Sequence, residues 1–525
     1  MYKKIITLLF ALSSTLAFAQ NNSELELHHF ATRISPHAEY VRYTYSYNSH
    51  KILDHQLLRM FALDGQYIKS KTSLTAAAKS TLNSSLKGPY LYWKDDEWKS
   101  VTVDTINDGK IHEVIIQNSE LGYLEVRDLN LHAADTLVQM RIFNPDPLTP
   151  NGLTYGGIHT DMNDGNGSVL DSLSIVDAID VDAVGGSVYL KNKYVEVMDF
   201  DAPYIPISTN PSKWLDGRSS DEFEQVMVTY HITKQNQYLE ALGYNSILNY
   251  AIHVDPQALN GQDNSLFNWG TTPPRLFFGE GGVDDAEDAD VIIHELGHAI
   301  SHGAAPGTTN GTERRTFDEA LGDYFAERYG RLNGVTSTRI FDWDGNNTFW
   351  DGRSAVYDGF KNYQNLVFFG IYEHTDIITS AMLEFSANPA VNDSVADKVI
   401  LESLYQLMSF QSLNDIGKNI LSADSLINSG AYSNFIYNSF GAPKNILQLV
   451  SIEEEKNLIE PELLYGDGFT ITIPENQKYN YSFFTIDGKL IQTGILTRTS
   501  KFEIEQSLII HLQDSNGIRT ILKKL

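Results

Sequence analysis

The chain opens on an apolar run, Ile5 to Leu12 broken only by Thr7, behind the basic pair Lys3 and Lys4 and ahead of Ala17-Phe18-Ala19. Basic start, short apolar core and small-x-small end together predict a secretory signal peptide over residues 1–19. A membrane span needs about 20 apolar residues, and this run stops at Ser13 and Ser14. No later stretch is long and apolar enough to cross a bilayer. From Val41 the period becomes two: Val41, Tyr43, Tyr45 and Tyr47 alternate with Arg42, Thr44 and Ser46, which predicts a strand. Asp64-Gly65 stands between two strand-like runs as a hairpin turn. Residues 20–145 thus read as antiparallel strands with some helix and no visible chemistry, His28, His29 and His37 included.

Period two returns after residue 465 in FTITIP, YNYSFFTI, KLIQTGIL, KFEIEQ and SLIIHL, with Asp487-Gly488 and Asn516-Gly517 as turns. This predicts a small β-sandwich over 465–525, joined by the charged, Pro461-containing linker 451–464. Between the two β-segments the period lengthens. Val291, Ile292, Ile293, Leu296 and Ile300 give one helical face, and Leu321, Phe325 and Tyr329 another. SVADKVILESLYQLMSF adds a further helical run.

Charge follows the same divisions. The 525 residues carry 39 Lys+Arg and 67 Asp+Glu, a formal −28. Residues 21–150 and 451–525 each sum to −3 and the first twenty residues to +2, so 151–450 holds −24. An acidic chain makes a poor partner for nucleic acid or an anionic membrane. The absence of cysteine removes disulfides, thiolate zinc sites and Cys nucleophiles together.

The chemistry lies in the acidic middle, in HELGH at 294–298. His294 and His298, four apart on a helix, project from one face and can reach one zinc ion. Glu295 stands beside them, placed to take a proton from a water at that ion. A catalytic site needs a third protein ligand. A metzincin-type histidine would fall where Ala304 stands, with glycine where Ser301 stands, and His302 comes too early. Downstream, Glu319 and Asp323 share a helix face: Glu319 completes a two-His, one-Glu set, and Asp323 can accept the other ring N–H of a ligand histidine. A solvated acidic helix face is the competing reading of that pair.

HELGH followed by E-A-L-G-D resembles the gluzincin metallopeptidases, and RLFFGEGGVDDAEDADVIIHELGHAISHG is similar to their fungalysin and thermolysin-like branch, more closely fungalysin. The resemblance implies one catalytic zinc on His294, His298 and Glu319, with Glu295 as general base. It further implies that Asp323 orients the first histidine and that Asp318 stands next to the third ligand. Aminopeptidase-type gluzincins, with a shorter gap, would put Phe317 at the ligand position; here 20 residues separate His298 from Glu319. In IYEHTDIITSAMLEF the family's oxyanion-stabilising histidine aligns with Tyr372, while His374 is displaced by two and Asp376 replaces a glutamate. Either Tyr372 or His374 could donate to the oxyanion. Arg353 could bind a substrate carbonyl or be a surface or structural arginine.

The implied fold is α+β: a two-lobed thermolysin-like catalytic domain over 146–450, with a β-rich N-lobe carrying the zinc helix and a helical C-lobe. An α+β propeptide over 20–145 precedes it, and the C-terminal module is similar to a type IX secretion sorting domain. The implied activity is that of a secreted or cell-surface zinc endopeptidase made as a zymogen, with peptide substrates and the secretion machinery as partners. A non-catalytic secreted binding or adhesion protein and an exopeptidase are the rival readings. DMNDGNGSVLD (161–171) and DWDGNN (342–347) suit calcium or ordinary turns equally, and neither has EF-hand spacing.

Overall fold

In the computed structural model the described residues are 25–47, 50–63, 67–72, 90–94, 97–107, 111–116, 119–120, 134–165, 167–346, 350–448, 462–466, 468–472, 478–485, 490–497, 500–502, 508–513 and 519–524. The expected signal peptide, the turns at Asp64-Gly65, Asp487-Gly488 and Asn516-Gly517, and residues 451–461 of the expected linker lie outside them. The chain is mixed helix and sheet and divides into two compact units, Met1–Gln448 and Leu449–Leu525. Among the described residues no helix is long and apolar enough to cross a membrane.

The first unit begins with an eight-stranded sheet. Its strands are β1 (Leu25–Ile34), β2 (Ala38–Tyr47), β3 (His50–Ala62), β4 (Tyr67–Thr72), β5 (Tyr90–Lys94), β6 (Glu97–Asn107), β7 (Ile111–Ile116) and β8 (Ser119–Glu120). β3 and β4 pair antiparallel across the expected turn. No helix occurs among the described residues of this segment.

The expected strand forms as β2, and both its faces are covered. Tyr40, Val41 and Tyr45 are buried, and so are Arg42 and Ser46. The reason is a second packing partner. The Arg42 guanidinium donates to the carbonyls of Tyr405 (3.0 Å) and Leu407 (2.9 Å). The hydroxyls of Ser35 and Tyr40 donate to the buried carboxylate of Glu402, which also accepts from Tyr244 at 2.9 Å. Ala38, Tyr40, Leu58 and Met60 join the same apolar core as the helices that follow.

A strand inside the segment expected to be the propeptide belongs elsewhere. β9 (Ala134–Ile142) pairs antiparallel with β10 (Ile175–Val184) and packs on helix α1 (Glu222–Ala241), so the sheet of the middle segment starts at Ala134, before residue 146. β10 turns back into β11 (Ser187–Val188). A four-stranded sheet follows in the order β12 (Val195–Val197), β13 (Ile252–Asp255), β15 (Arg275–Phe278), β14 (Ser265–Asn268), the first three parallel and β14 antiparallel at the edge.

α1 is buried nearly all round, and most of its buried polar side chains have hydrogen-bond partners. Thr229 Oγ1 donates to the Gln225 carbonyl at 2.7 Å, and His231 sits between the Phe143 carbonyl (2.9 Å) and the Tyr329 hydroxyl (2.8 Å). Against α1 packs α2 (Ala289–Ala304), and against α2 packs α3 (Thr312–Leu332). Four more long helices follow among the described residues: α4 (Thr375–Ser386), α5 (Asp393–Leu404), α6 (Leu413–Asn428) and α7 (Ser433–Phe440). Between α3 and α4 a two-stranded ladder joins β16 (Arg339–Ile340) to β17 (Arg353–Ser354).

The second unit has a three-stranded sheet of β18 (Glu462–Gly466), β19 (Gly468–Thr472) and β22 (Ser500–Phe502). Its four-stranded sheet comprises β20 (Tyr479–Thr485), β21 (Leu490–Leu496), β23 (Leu508–Gln513) and β24 (Arg519–Lys524). Ile471, Tyr479, Tyr481, Phe483, Leu496, Ile510 and Leu512 form its apolar cluster. Residues Glu462 to Leu464, expected in the linker, are strand because they pair with Ile471, Thr472 and Thr470 of β19.

Candidate metal centre

Local chemistry fixes α2 at both ends. The Asp288 carboxylate caps its start by accepting the Asp290 N–H at 2.9 Å. Ala289, Ile292, Ile293, Leu296, Ala299 and Ile300 are buried in the core. The next residues, Ala305-Pro306-Gly307, carry the chain into the loop that leads to α3. α2 and α3 meet at glycines. A Cβ on Gly297 would stand 2.8 Å from the Gly322 Cα, and one on Gly322 would stand 2.5 Å from His294 Nδ1. Only hydrogen at both positions lets the helices approach closely enough to bring residues 294–298 opposite 318–323.

At that crossing His294 Nε2 lies 3.4 Å from Glu319 Oε2, and His298 Nε2 lies 3.8 Å from Glu319 Oε1. The two rings stand at 89° with centroids 4.9 Å apart. Two donors bonded to one tetrahedral zinc at about 2.0–2.1 Å are separated by about 3.3 Å, so this donor set fits a zinc ion with little adjustment. The Glu295 carboxylate adjoins the site: His294, Glu295 and His298 each offer a ligand-type atom within 4.8 Å of the others. Glu295 Oε2 is buried and has no hydrogen-bond partner.

Carboxylates stand behind both histidines. Asp323 Oδ1 lies 3.0 Å from His294 Nδ1, and Asp318 Oδ2 lies 3.6 Å from His298 Nδ1, an ion-pair distance beyond a good hydrogen bond. Both carboxylates are themselves anchored. Arg353 Nη1 donates to Asp323 at 2.7 Å and lies 3.4 Å from Glu319. Arg314 Nη1 donates to Asp318 at 2.8 Å, and the Ser301 hydroxyl donates to the same oxygen. Arg353 is thus turned towards these carboxylates. The anchoring by Arg314 and Ser301 has no counterpart in the sequence reading.

The electrostatics describe a site short of positive charge. Burial opposes protonation of His298, but Asp318, Glu319 and Glu295 override it and raise its pKa to about 10. His294 moves up in the same way through Asp323 and Glu319. Burial likewise works against ionisation of Glu319, and the two imidazoles and Arg353 overcome it, bringing it down to about 2. Glu295 is raised, chiefly by burial.

Tyr372 and His374 part company. The Tyr372 ring stands 5.0 Å from the Arg353 guanidinium carbon, and its hydroxyl pKa is raised by burial and then by Glu319 and Glu295. His374 stands just before α4, its Nε2 3.2 Å from the Val367 carbonyl and its ring against Phe368. Asp161 and Asp164 of the loop 161–171, one of the two calcium candidates, are met by the buried guanidinium of Arg218, which also binds Glu287 at 2.6 Å.

No family model matches the chain, and no curated protein matches it. Among solved structures it is similar to the precursor of protealysin, a metalloproteinase from Serratia proteamaculans. Identity is 12%, coverage is 48% of this chain and 88% of that one, and the TM-score is 0.37. A likeness of that size fixes neither fold nor activity.

Proposed function

We propose that the chain is a secreted, zinc-dependent endopeptidase made as a zymogen. The observation that carries this reading is the convergence of His294 Nε2, His298 Nε2 and the Glu319 carboxylate at separations of 3.4 and 3.8 Å, with the unpartnered Glu295 oxygen beside them. When bound there, zinc supplies Lewis-acid polarisation of a peptide carbonyl and acidifies the attacking water. Glu295 is the proton carrier: its free oxygen takes the water's proton during attack and returns it to the leaving amine. Asp323 and Asp318 fix the ring orientation of the two histidines, so their Nε2 atoms keep facing the same point. In this reading Tyr372, whose ring stands 5.0 Å from the Arg353 guanidinium carbon, donates its hydroxyl to the developing oxyanion.

In this reading residues 134–448 are the two-lobed catalytic domain, with the sheet β12–β15 and α1 before the zinc helix and α3–α7 after it. The sheet β1–β8 is the propeptide, and Leu449–Leu525 is a secretion-sorting β-sandwich. The test is Glu295→Gln. Peptide-bond hydrolysis should fall by several orders of magnitude while zinc content stays at one per chain. Substantial hydrolysis by that variant would overturn the assignment of the base.

A further inference from the structure

Between β17 and α4 the chain runs from residue 355 to residue 374 with a single short helical turn, Tyr363–Asn365, as its regular structure. A connection this long inside a packed unit usually has a task of its own. Tyr357, Tyr363, Leu366 and Phe368 pack against the core of the first unit. Phe360, Val367, Phe369 and Tyr372 are exposed instead, Phe360 at 91% and Phe369 at 86%. Single exposed apolar residues are ordinary, whereas several gathered on one loop mark a surface that something covers.

Hydrogen bonds hold the loop in this shape. Asp358 accepts the N–H groups of Phe360 (2.8 Å) and Lys361 (2.9 Å), and Glu373 accepts those of Phe369 and Gly370, at 3.3 Å each. Lys361 Nζ donates to the Glu373 carbonyl at 3.0 Å and pairs with Asp376. Tyr363 fastens the base, its hydroxyl donating to Glu313 of α3 at 2.7 Å and its N–H to the Lys444 carbonyl at 2.8 Å. His374 lies with Nε2 3.2 Å from the Val367 carbonyl and its ring edge-on to Phe368, so Phe368 turns in while Val367 and Phe369 on either side turn out.

The loop ends at the candidate metal centre. Tyr372, its last exposed ring, stands 5.0 Å from the Arg353 guanidinium carbon, and Arg353 lies 3.4 Å from Glu319. Phe369 precedes Tyr372 by three residues, so their Cα atoms are no more than about 11 Å apart, the reach of about three residues of extended peptide. We infer that Phe360, Val367 and Phe369 form an apolar lip that binds polypeptide substrates through aliphatic or aromatic side chains about three residues from the bond to be cleaved. This rests on the peptidase reading and names the substrate class: extended, apolar segments such as unfolded chain, in preference to charged folded surfaces. Asp358 and Glu373 turn their carboxylates to the loop's own amides, so what the exposed rings offer a partner is apolar area. A chain lying across the metal centre continues over the lip, and this continuity selects a substrate segment as the occupant over a lipid surface or a second copy.

The test gives the full, zinc-loaded chain two fluorogenic peptides that share their central residues and differ only about three residues to either side, where one carries Phe and the other Ser. The wild type should take the Phe peptide with a KM about tenfold or more below that of the Ser peptide. Its kcat should be the same on both, since a contact kept from bound state to transition state moves KM alone. Phe360→Ser combined with Phe369→Ser should erase the difference and leave kcat on the Ser peptide at the wild-type value, with Tm unchanged because both positions are exposed. A preference equal in both proteins, or none in the wild type, overturns the lip. Hydrolysis of neither peptide by the wild type overturns the peptidase reading instead, and the lip is then judged by fluorescence anisotropy of the same peptides, labelled, on Glu295→Gln protein. There the Phe peptide should bind about tenfold tighter and lose that advantage with the two Ser substitutions; equal binding overturns the lip. A wild-type dimer that the substitutions dissociate, or binding to phosphatidylcholine vesicles that they abolish, gives the surface to a second copy or to lipid and overturns the substrate assignment.

Discussion

Replacing Gly322 with alanine adds one methyl group at the place where α3 passes beneath the ring of His294, a proposed zinc ligand. Its Cβ would stand 2.5 Å from His294 Nδ1 and 2.7 Å from Cε1, where an ordinary contact begins at 3.4 Å. Ring or helix must yield by about 0.9 Å. The ring has little freedom, held by Asp323 at 3.0 Å on one side and by the Phe341 ring, 5.5 Å between centroids, on another. Alanine gains about 1 kcal/mol over glycine in helix propensity, while overpacking costs about 1–3 kcal/mol. Net stability should thus fall by no more than about 2 kcal/mol. The centre should suffer far more. A displacement near 1 Å in a reacting constellation costs about 10²-fold in rate, and disturbing a ligand's orienting partner costs about 10–100-fold in metal affinity. The assay is zinc retention under a buffered chelator together with kcat/KM on a generic peptide and Tm. Wild-type zinc affinity and kcat/KM in a folded Gly322→Ala protein would refute the idea that this close approach sets the ligand geometry.

Four further outcomes are expected. Tyr372→Phe should lower kcat by about 10²-fold, the scale of one oxyanion donor, with KM little changed, and His374→Gln should leave kcat near wild type; the reverse result would give the oxyanion role to His374. Arg42→Met removes two charge-assisted hydrogen bonds worth about 1.5–3 kcal/mol each, so amide exchange across β1–β4 should accelerate by about 10²-fold or more, and unchanged protection would count against the Arg42 anchor. Gly297→Ala should weaken zinc binding through the backbone, its Cβ being 2.8 Å from the Gly322 Cα, and an unaltered affinity would contradict that close contact. Burial and carboxylate neighbours push Asp284 up to about 9, and burial pushes Glu287 and Asp288 up to about 7. The folded chain therefore keeps protons that the unfolded chain releases near pH 4. In chelator, Tm should fall as pH rises from about 5 to about 9, and a flat profile would refute this.

What was legible in the sequence was local. The i, i+4 spacings of His294 with His298 and of Glu319 with Asp323 are rigid properties of a helix, and the sequence already puts those residues on two faces that can meet. Arg353 acts on Asp323 across 30 residues and Arg42 on Tyr405 across 363, and no periodicity encodes such a meeting. α1 left little stripe to read, because most of VMVTYHITKQNQ is buried, with Thr229, Thr233 and Asn236 bonded to carbonyls of the helix itself. The β2 alternation gave the strand but not its second partner: Arg42 is polar, yet it meets carbonyls just past the end of α5 and not water. The join at Ala134 was hidden because β9 continues the strand-rich texture of the segment before it while pairing with the segment after it.

Glu402 ties the helical part of the first unit to its N-terminal sheet. Its carboxylate is buried with three hydroxyl donors, and two of them, Ser35 and Tyr40, come from the N-terminal sheet. If that sheet is cut away, Glu402 keeps Tyr244 alone, and the carbonyls of Tyr405 and Leu407 lose their guanidinium. The remaining domain then carries a buried carboxylate short of donors and carbonyls without their partner, each costing about 1–3 kcal/mol, so it should be less stable than the intact unit.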